Sequence, residues 1–367
     1  MKVVFTGGGT GGHIYPALSL WRYMQDQAIS LEPYYIGTTQ GLEQSIVSKL
    51  DMPFETVEAA GLKRQVSLAA VSTLLKTARG YFQAKRLLKR WRPDVVVGTG
   101  GFVTLPVIFA AHSLRIPSVV WEGNARPGLT NQLCAGRTDA VAISFADSAR
   151  FFAKAKRVEL TGNPRASEVL QVDAGAVRGA RDEYRILRDQ KVILIFLGSR
   201  GSESVNRVVT EVLPKFAEHP EWRVLFVTGD RHYEHVKQSV PDLSHNVSII
   251  PFIYDMPSLL PHVDLLISRA GSSTLAEISA LGIASILIPS PYVTANHQEE
   301  NAKRLVDKGA AALLREADLS ADSLWAAIER QMQQDALRAM KGAAKSFGTP
   351  DAVERFYQLV MDVTRAR

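Results

Sequence analysis

At 367 residues, 46% of them hydrophobic, the chain exceeds a single ordinary core, and two domains are expected. One cysteine, Cys134, excludes an intramolecular disulfide, and no apolar run approaches the ~18 residues a membrane span needs. The net charge of +6 is local: residues 59–93 carry nine Lys and Arg and no acid, which leaves the remainder at −3 and excludes a uniformly basic surface.

The N-terminus opens with a short apolar run, Lys2–Phe5, that suits a buried parallel strand and is too short for a signal peptide. It breaks at once into Gly7, Gly8, Gly9, Thr10, Gly11 and Gly12, closed by His13. A strand, a glycine-rich turn and a helix aim backbone N–H groups at an anion. Pro16 is expected in the first helical turn, and His13 beside it can exchange a proton near neutral pH. The loop is not GxGxxG; Asp26 and Glu32 fall near the distance of the acid that completes that fingerprint, but neither closes a well-formed second strand.

Further strands are expected at Tyr34–Ile36, Phe54–Val57, Asp94–Val97, Ser118–Trp121 and Ala140–Ile143, with helices at Tyr15–Gln27, Gly41–Leu50 and Pro106–Leu114 between them. The basic stretch Leu68–Trp91 has helical periodicity. Val71, Leu75, Ala78 and Phe82 share one stripe, and Lys76, Arg79, Arg86 and Arg90 another, with Leu74, Tyr81, Lys85, Leu87 and Trp91 alongside. That is either a core-facing helix with a solvated side or an interfacial membrane helix, and the lack of acids favours the membrane. A second glycine cluster, Gly98–Phe102, follows the strand Asp94–Val97; two such loops on one sheet edge can flank a diphosphate. Glu122 and Asn124 end the next strand, where polar side chains meet ligands.

The alternation loosens from Thr161 to Gln190, read as a linker and a surface helix. It restarts with Lys191–Leu197 and another Gly loop at Gly198–Ser202. Strands follow at Arg223–Val227, Val247–Ile250, Leu265–Ser268, Ser285–Ile288 and Ala311–Leu314, and a last helix at Pro350–Val363. After Leu265–Ser268, Ser272–Thr274 are expected to cap a helix and offer donors to phosphate, with Glu277 one turn in, able to accept from a ribose diol. Asn296–Asn301 is a polar cluster suited to a hydroxylated sugar. No metal-ligand spacing occurs, so neither a metal nor another cofactor is expected.

In order, Gly7–His13, Gly98–Phe102, Thr161–Arg165, Gly198–Gly201, Arg269–Glu277 and Asn296–Asn301 resemble the motifs of the MurG family of bacterial glycosyltransferases, over essentially the whole chain. The spelling Gly162–Glu168 is similar to members from Gram-positive bacteria. The resemblance implies the GT-B fold: α/β, two doubly wound Rossmann-like domains facing a cleft, with the C-terminal helix crossing back to the first. Residues 1–162 with 348–367 would form the acceptor and membrane domain, and 163–347 the UDP-sugar domain. It implies inverting transfer of N-acetylglucosamine from UDP-N-acetylglucosamine to the lipid-linked muramoyl-pentapeptide, at the cytoplasmic face of the membrane and without nucleic acid. His13 matches the base candidate. Thr10, Gly11, Gly12, Asn124, Arg165, Ser199, Ile253, Ser272, Ser273, Thr274, Glu277 and Gln298 match donor-binding positions. Gly8, Gly9, Gly100 and Gly101 would meet the acceptor diphosphate; Leu74, Leu75, Lys76, Arg79, Tyr81, Phe82, Lys85 and Arg86 would meet the membrane. Two departures stand out: Trp121-Glu122-Gly123-Asn124 replaces the family's usual His-Glu-Gln-Asn, and Leu197-Gly198 opens the third loop in place of two glycines. A UDP-sugar epimerase, a transferase for another membrane lipid and a nicotinamide oxidoreductase are the alternatives.

Overall fold

The computed structural model describes residues 1–27, 30–61, 68–198, 201–240 and 242–366, and for 68–71 the backbone. The chain divides into two compact units, residues 1–165 with 351–367, and residues 166–350. The boundaries expected from sequence lie three residues earlier at each crossing.

The first unit runs β1 (Lys2–Thr6), α1 (Gly11–Asp26), β2 (Glu32–Gly37), α2 (Leu42–Val47), β3 (Phe54–Thr56), α3 (Leu68–Trp91), β4 (Val95–Gly98), α4 (Thr104–Ser113), β5 (Ser118–Glu122), α5 (Leu129–Cys134), β6 (Ala140–Ile143) and β7 (Val158–Leu160). All pairings are parallel, in the order β3-β2-β1-β4-β5-β6-β7. Successive β1 residues face opposite sides, and both sides are covered: Val3 and Phe5 pack with Ile14, Leu18 and Phe356, whereas Val4 packs with Leu88, Val107 and Ile108. Double burial explains why these strands read as continuous apolar runs.

The second unit runs α6 (Arg165–Glu168), which straddles the boundary, α7 (Ala174–Glu183), β8 (Lys191–Phe196), α8 (Glu203–Val212), β9 (Trp222–Val227), α9 (Asp230–Ser239), β10 (Val247–Ile250), α10 (Met256–Leu259), β11 (Leu265–Ser268), α11 (Ser272–Leu281), β12 (Ala284–Leu287), α12 (His297–Val306), β13 (Ala312–Leu313), α13 (Ala321–Met332) and α14 (Gln334–Phe347). Its parallel sheet has the order β10-β9-β8-β11-β12-β13. Ile193 and Ile195 pack with Val205, Val209, Leu324 and Ile328. α15 (Ala352–Arg365) then returns to the first unit, where Phe356, Leu359 and Val360 are fully buried and Arg157 bonds Asp362 at 3.1 Å.

Two expectations need correction. β7 was not foreseen: it is three residues long and its burial is partial, so it carries no apolar run. Pro16 is not in the first turn but inside α1, which begins five residues earlier, at Gly11; its missing N–H leaves the Gly12 carbonyl without its helical donor. In α3, Thr73, Gly80, Ala84, Leu87, Leu88 and Trp91 face inward, while Leu75, Ala78 and Phe82 are exposed, so the core-stripe alternative does not hold for them. The small residues there allow close approach, since a Cβ on Gly80 would run into the Glu58 carbonyl oxygen.

Candidate active site

In a doubly wound sheet, ligands lodge beyond the carboxyl ends of the strands, where the strand order reverses. Here that point lies between β1 and β4 in the first unit, and between β8 and β11 in the second. The four glycine- or serine-rich loops found in the sequence are the loops that leave these four strands.

In the first unit the β1 and β4 loops are tied together. Gly8 N–H donates to Gly100 O at 3.2 Å, and the Thr99 hydroxyl donates to the His13 carbonyl at 2.5 Å. Tyr35 O–H donates to Gly7 O at 2.8 Å from below. Glu43, fully buried, accepts from Gly9 N–H at 2.9 Å, from Thr38 N–H at 2.9 Å and from the Thr38 hydroxyl at 2.7 Å. The N–H groups of Gly8 and Gly9 are therefore engaged within the fold, and these residues supply shape. The N–H groups of Gly11 and Gly12, the first two residues of α1, precede the first intrahelical bonds and belong to the orphan donors of a helix start.

His13 sits in that first turn. Its Nδ1 lies 3.0 Å from Gly8 O and 3.3 Å from Thr10 Oγ1. A carbonyl only accepts, so the neutral ring carries its proton on Nδ1 and its lone pair on Nε2. The Nε2 edge lies along the β4 loop: a Cβ built on Gly100 would stand 2.8 Å from His13 Cδ2 and 3.1 Å from Nε2. Gly100 has φ +106° and Gly101 +82°, so the loop needs glycine for its dihedrals as well.

Asn124 follows β5. Its N–H and its amide donate to Glu122 Oε1 at 2.9 and 3.1 Å, while Oε2 accepts from Gly128 N–H at 3.0 Å and Asn131 Nδ2 at 2.9 Å. Burial pushes the Glu122 carboxyl above its ordinary pKa, and those four donors pull it back. Trp121, where the family usually has histidine, is buried and donates to Gly162 O at 3.0 Å, joining β5 to the loop after β7. Arg165 leaves that loop and lies 5.4 Å over the Tyr15 ring of α1. The first unit thus gathers Thr10, Gly11, Gly12, His13, Gly100, Gly101, Asn124 and Arg165 at one sheet edge.

In the second unit Ser199 lies outside the described residues. Gly198 and Gly201 have φ of +89° and +67°. The N-cap of α11 is Gly271 and no side chain caps it, so Ser272, Ser273 and Thr274 occupy the first turn rather than capping. Glu277 is buried one turn further. Ile253, after β10, is buried beside the edge-to-face pair of Phe252 and Tyr254. Gln298 Oε1 accepts from Ser290 N–H at 2.8 Å, which turns the amide nitrogen to the other side. Ala295 and Asn296, just before α12, both have left-handed dihedrals, with φ of 57° and 51°. Asn301, fully buried, donates to Ala270 O at 3.3 Å and ties α12 to the β11 loop. Ile253, the α11 first turn, Glu277 and Gln298 all sit on elements that leave the carboxyl edge.

On α3, Leu74, Leu75 and Phe82 are 61%, 59% and 68% exposed. Lys76, Arg79 and Arg86 are exposed on the same helix, and Tyr81 and Lys85 are half-buried and bonded to each other at 3.3 Å. Among the described residues no helix is long and apolar enough to cross a membrane.

Sequence reasoning did not single out Tyr35, Glu43, Thr99 or Asn131. Tyr35 and Thr99 act on carbonyls of the first glycine loop, Glu43 on Gly9 and Thr38, and Asn131 on Glu122; of the four only Thr99 falls within a glycine cluster marked in the sequence, and its role there depends on His13, 86 residues away.

Family models match two segments: the glycosyltransferase family 28 N-terminal domain over residues 3–143 and its C-terminal domain over residues 192–356. A Listeria monocytogenes protein named UDP-N-acetylglucosamine--N-acetylmuramyl-(pentapeptide) pyrophosphoryl-undecaprenol N-acetylglucosamine transferase is 45% identical over the full length of both chains. Among solved structures, Acinetobacter baumannii MurG aligns with a TM-score of 0.79 at 26% identity, over 98% of this chain and 99% of that one. A Neisseria meningitidis UDP-GlcNAc 2-epimerase aligns at 0.69 and 16% identity, over 99% of this chain and 100% of that one, a likeness of fold alone. The architecture is the GT-B class expected from the sequence, two doubly wound α/β units with the last helix returning to the first. The chain belongs to glycosyltransferase family 28, among the UDP-N-acetylglucosamine--N-acetylmuramyl-(pentapeptide) pyrophosphoryl-undecaprenol N-acetylglucosamine transferases.

Proposed function

We propose that this chain transfers N-acetylglucosamine from UDP-N-acetylglucosamine to the 4-hydroxyl of the muramoyl-pentapeptide carried on undecaprenyl diphosphate, inverting the anomeric carbon. The observation that carries this is the full-length likeness, at 45% identity, to a transferase named for that reaction. The acceptor oxygen attacks the anomeric carbon and its proton passes to His13 Nε2. The bond from that carbon to the diphosphate breaks, and UDP leaves with the bonding pair. The Nδ1–H bond to Gly8 O sets the tautomer this step needs.

The donor is assigned mainly to the second unit. Ser199 and the α11 first turn, Ser272 to Thr274, take the diphosphate, Glu277 the ribose diol, Ile253 the uracil, and the Gln298 amide nitrogen the sugar. Preorganised N–H groups stabilise the leaving diphosphate. In the first unit Thr10, Gly11, Gly12, Asn124 and Arg165 are further donor contacts, and the joined loops around Gly8, Gly9, Gly100 and Gly101 receive the acceptor diphosphate.

Leu74, Leu75 and Phe82, with Lys76, Arg79 and Arg86 beside them and Tyr81 and Lys85 at the edge, are the surface for an anionic membrane that holds the lipid. Each cation near such a surface contributes about 1 kcal/mol.

The test is incubation with labelled UDP-N-acetylglucosamine and the muramoyl-pentapeptide lipid, following label into the lipid phase. Free epimerised sugar, formed without lipid, would displace this reading. His13→Ala should lower turnover far more than UDP affinity; equal losses would make His13 a binding residue.

A further inference from the structure

Across the β8/β11 reversal of the second unit runs a network of side chains that joins two of the loops marked in the sequence to Glu316, a residue outside every motif. Arg269, at the end of β11, donates from Nη2 to Ser202 Oγ at 2.7 Å and from Nη1 to Ile288 O at 3.0 Å. Its Nη1 also lies 2.7 Å from Glu316 Oε2, and the two side chains are only 12% and 11% exposed. The other carboxylate oxygen, Glu316 Oε1, accepts from Ser204 Oγ at 2.6 Å. Ser202 and Ser204 lie 3.3 Å apart through their hydroxyls.

Four strand ends meet in this network: Ser202 lies past β8, Arg269 past β11, Ile288 past β12 and Glu316 past β13. Ser202 is the N-cap of α8, yet its side chain makes no capping bond, because its oxygen serves Arg269. Ser204, two residues on, is held by Glu316. The first turn of α8 is thereby fixed from outside, and its orphan N–H groups are not covered by the side chain that ordinarily covers them. The Nη groups of Arg269 are taken up by Ser202, Ile288 and the Glu316 carboxylate. A buried ion pair is weak evidence for stability, since desolvation offsets the attraction. Its geometric effect is specific: it ties the first turn of α8 to the residue that follows β11.

We infer that Glu316 is a positioning residue for the donor diphosphate. It holds Arg269 as a brace across the strand reversal and pins Ser204, and so keeps the first turns of α8 and α11 at the separation a diphosphate spans. The inference rests on the reading that this unit binds UDP.

The experiment titrates UDP and, separately, uridine into the full chain and into Glu316→Gln and Ser204→Ala, with a thermal melt for each. Glu316→Gln should weaken UDP about tenfold and leave uridine within about twofold, because only the diphosphate is misplaced; Ser204→Ala should weaken UDP about threefold. Unchanged UDP affinity, or parallel losses for UDP and uridine, overturns the inference and makes the pair merely structural. If Glu316→Gln does not fold, Ser204→Ala decides alone by the same ratio. Absence of UDP binding by the unaltered chain would instead sink the donor-site reading beneath it, a result the same titration separates.

Discussion

Gly100→Ala probes the contact between the β4 loop and His13. At φ +106° an alanine meets backbone strain of about 1–3 kcal/mol. Its Cβ would also stand 2.8 Å from His13 Cδ2, where ordinary contact starts at 3.4 Å, so the ring must retreat by about 0.6 Å. A misplacement of about 1 Å at a reacting group costs ~100-fold; a retreat of this size should lower kcat by roughly 10- to 100-fold. UDP affinity should hold, because the uracil, ribose and diphosphate contacts are assigned mainly to the other unit. The assay is label transfer at saturating donor and acceptor, beside a UDP titration and a thermal melt. A folded variant with kcat within about threefold of the parent would refute the geometric argument. Parallel loss of kcat and UDP affinity would refute the separation of roles.

Other expectations follow from the same geometry. Glu43→Ala strips three donors, Gly9 N–H, Thr38 N–H and the Thr38 hydroxyl, of a buried acceptor, and should destabilise the chain by about 2–4 kcal/mol in urea unfolding; a loss under 1 kcal/mol would contradict the bond set. Glu122 has a raised pKa in the fold, so the stability it contributes is complete below its usual 4.5 and declines as pH rises through the raised value. Glu122→Gln should remove that segment of the stability–pH curve, measured by denaturation from pH 4 to 7, and a curve of unchanged shape would argue against the shift. Leu75→Ser with Phe82→Ser replaces side chains 59% and 68% exposed and should leave the melting temperature within a few degrees. Binding to anionic vesicles, followed by cosedimentation, should fall at least tenfold; retention of binding would place the membrane surface elsewhere.

The sequence alone determined the sheet and its loops. A parallel strand covered on both faces must be apolar along its whole length, and Lys2–Phe5 and Leu265–Ser268 announce themselves for that reason; β7, short and half-exposed, does not. Glycine at Gly7–Gly12 and Gly98–Gly101 marks turns that other residues cannot make, and both loops stand where ligands meet such sheets. Tertiary structure decided what those loops do. The periodicity of α3 permits either of two faces to be buried, and only packing against α4 and Glu58 chose the small-residue face, leaving Leu74, Leu75 and Phe82 outside. The Nδ1 proton of His13 is set by a carbonyl five residues away across a turn, the engagement of Gly9 by a carboxylate 34 residues on, and the bracing of Ser204 by one 112 residues on. Spacing along the chain carries no trace of such pairings, because hydrogen bonds form between groups that folding brings within 3 Å, whatever their separation in sequence.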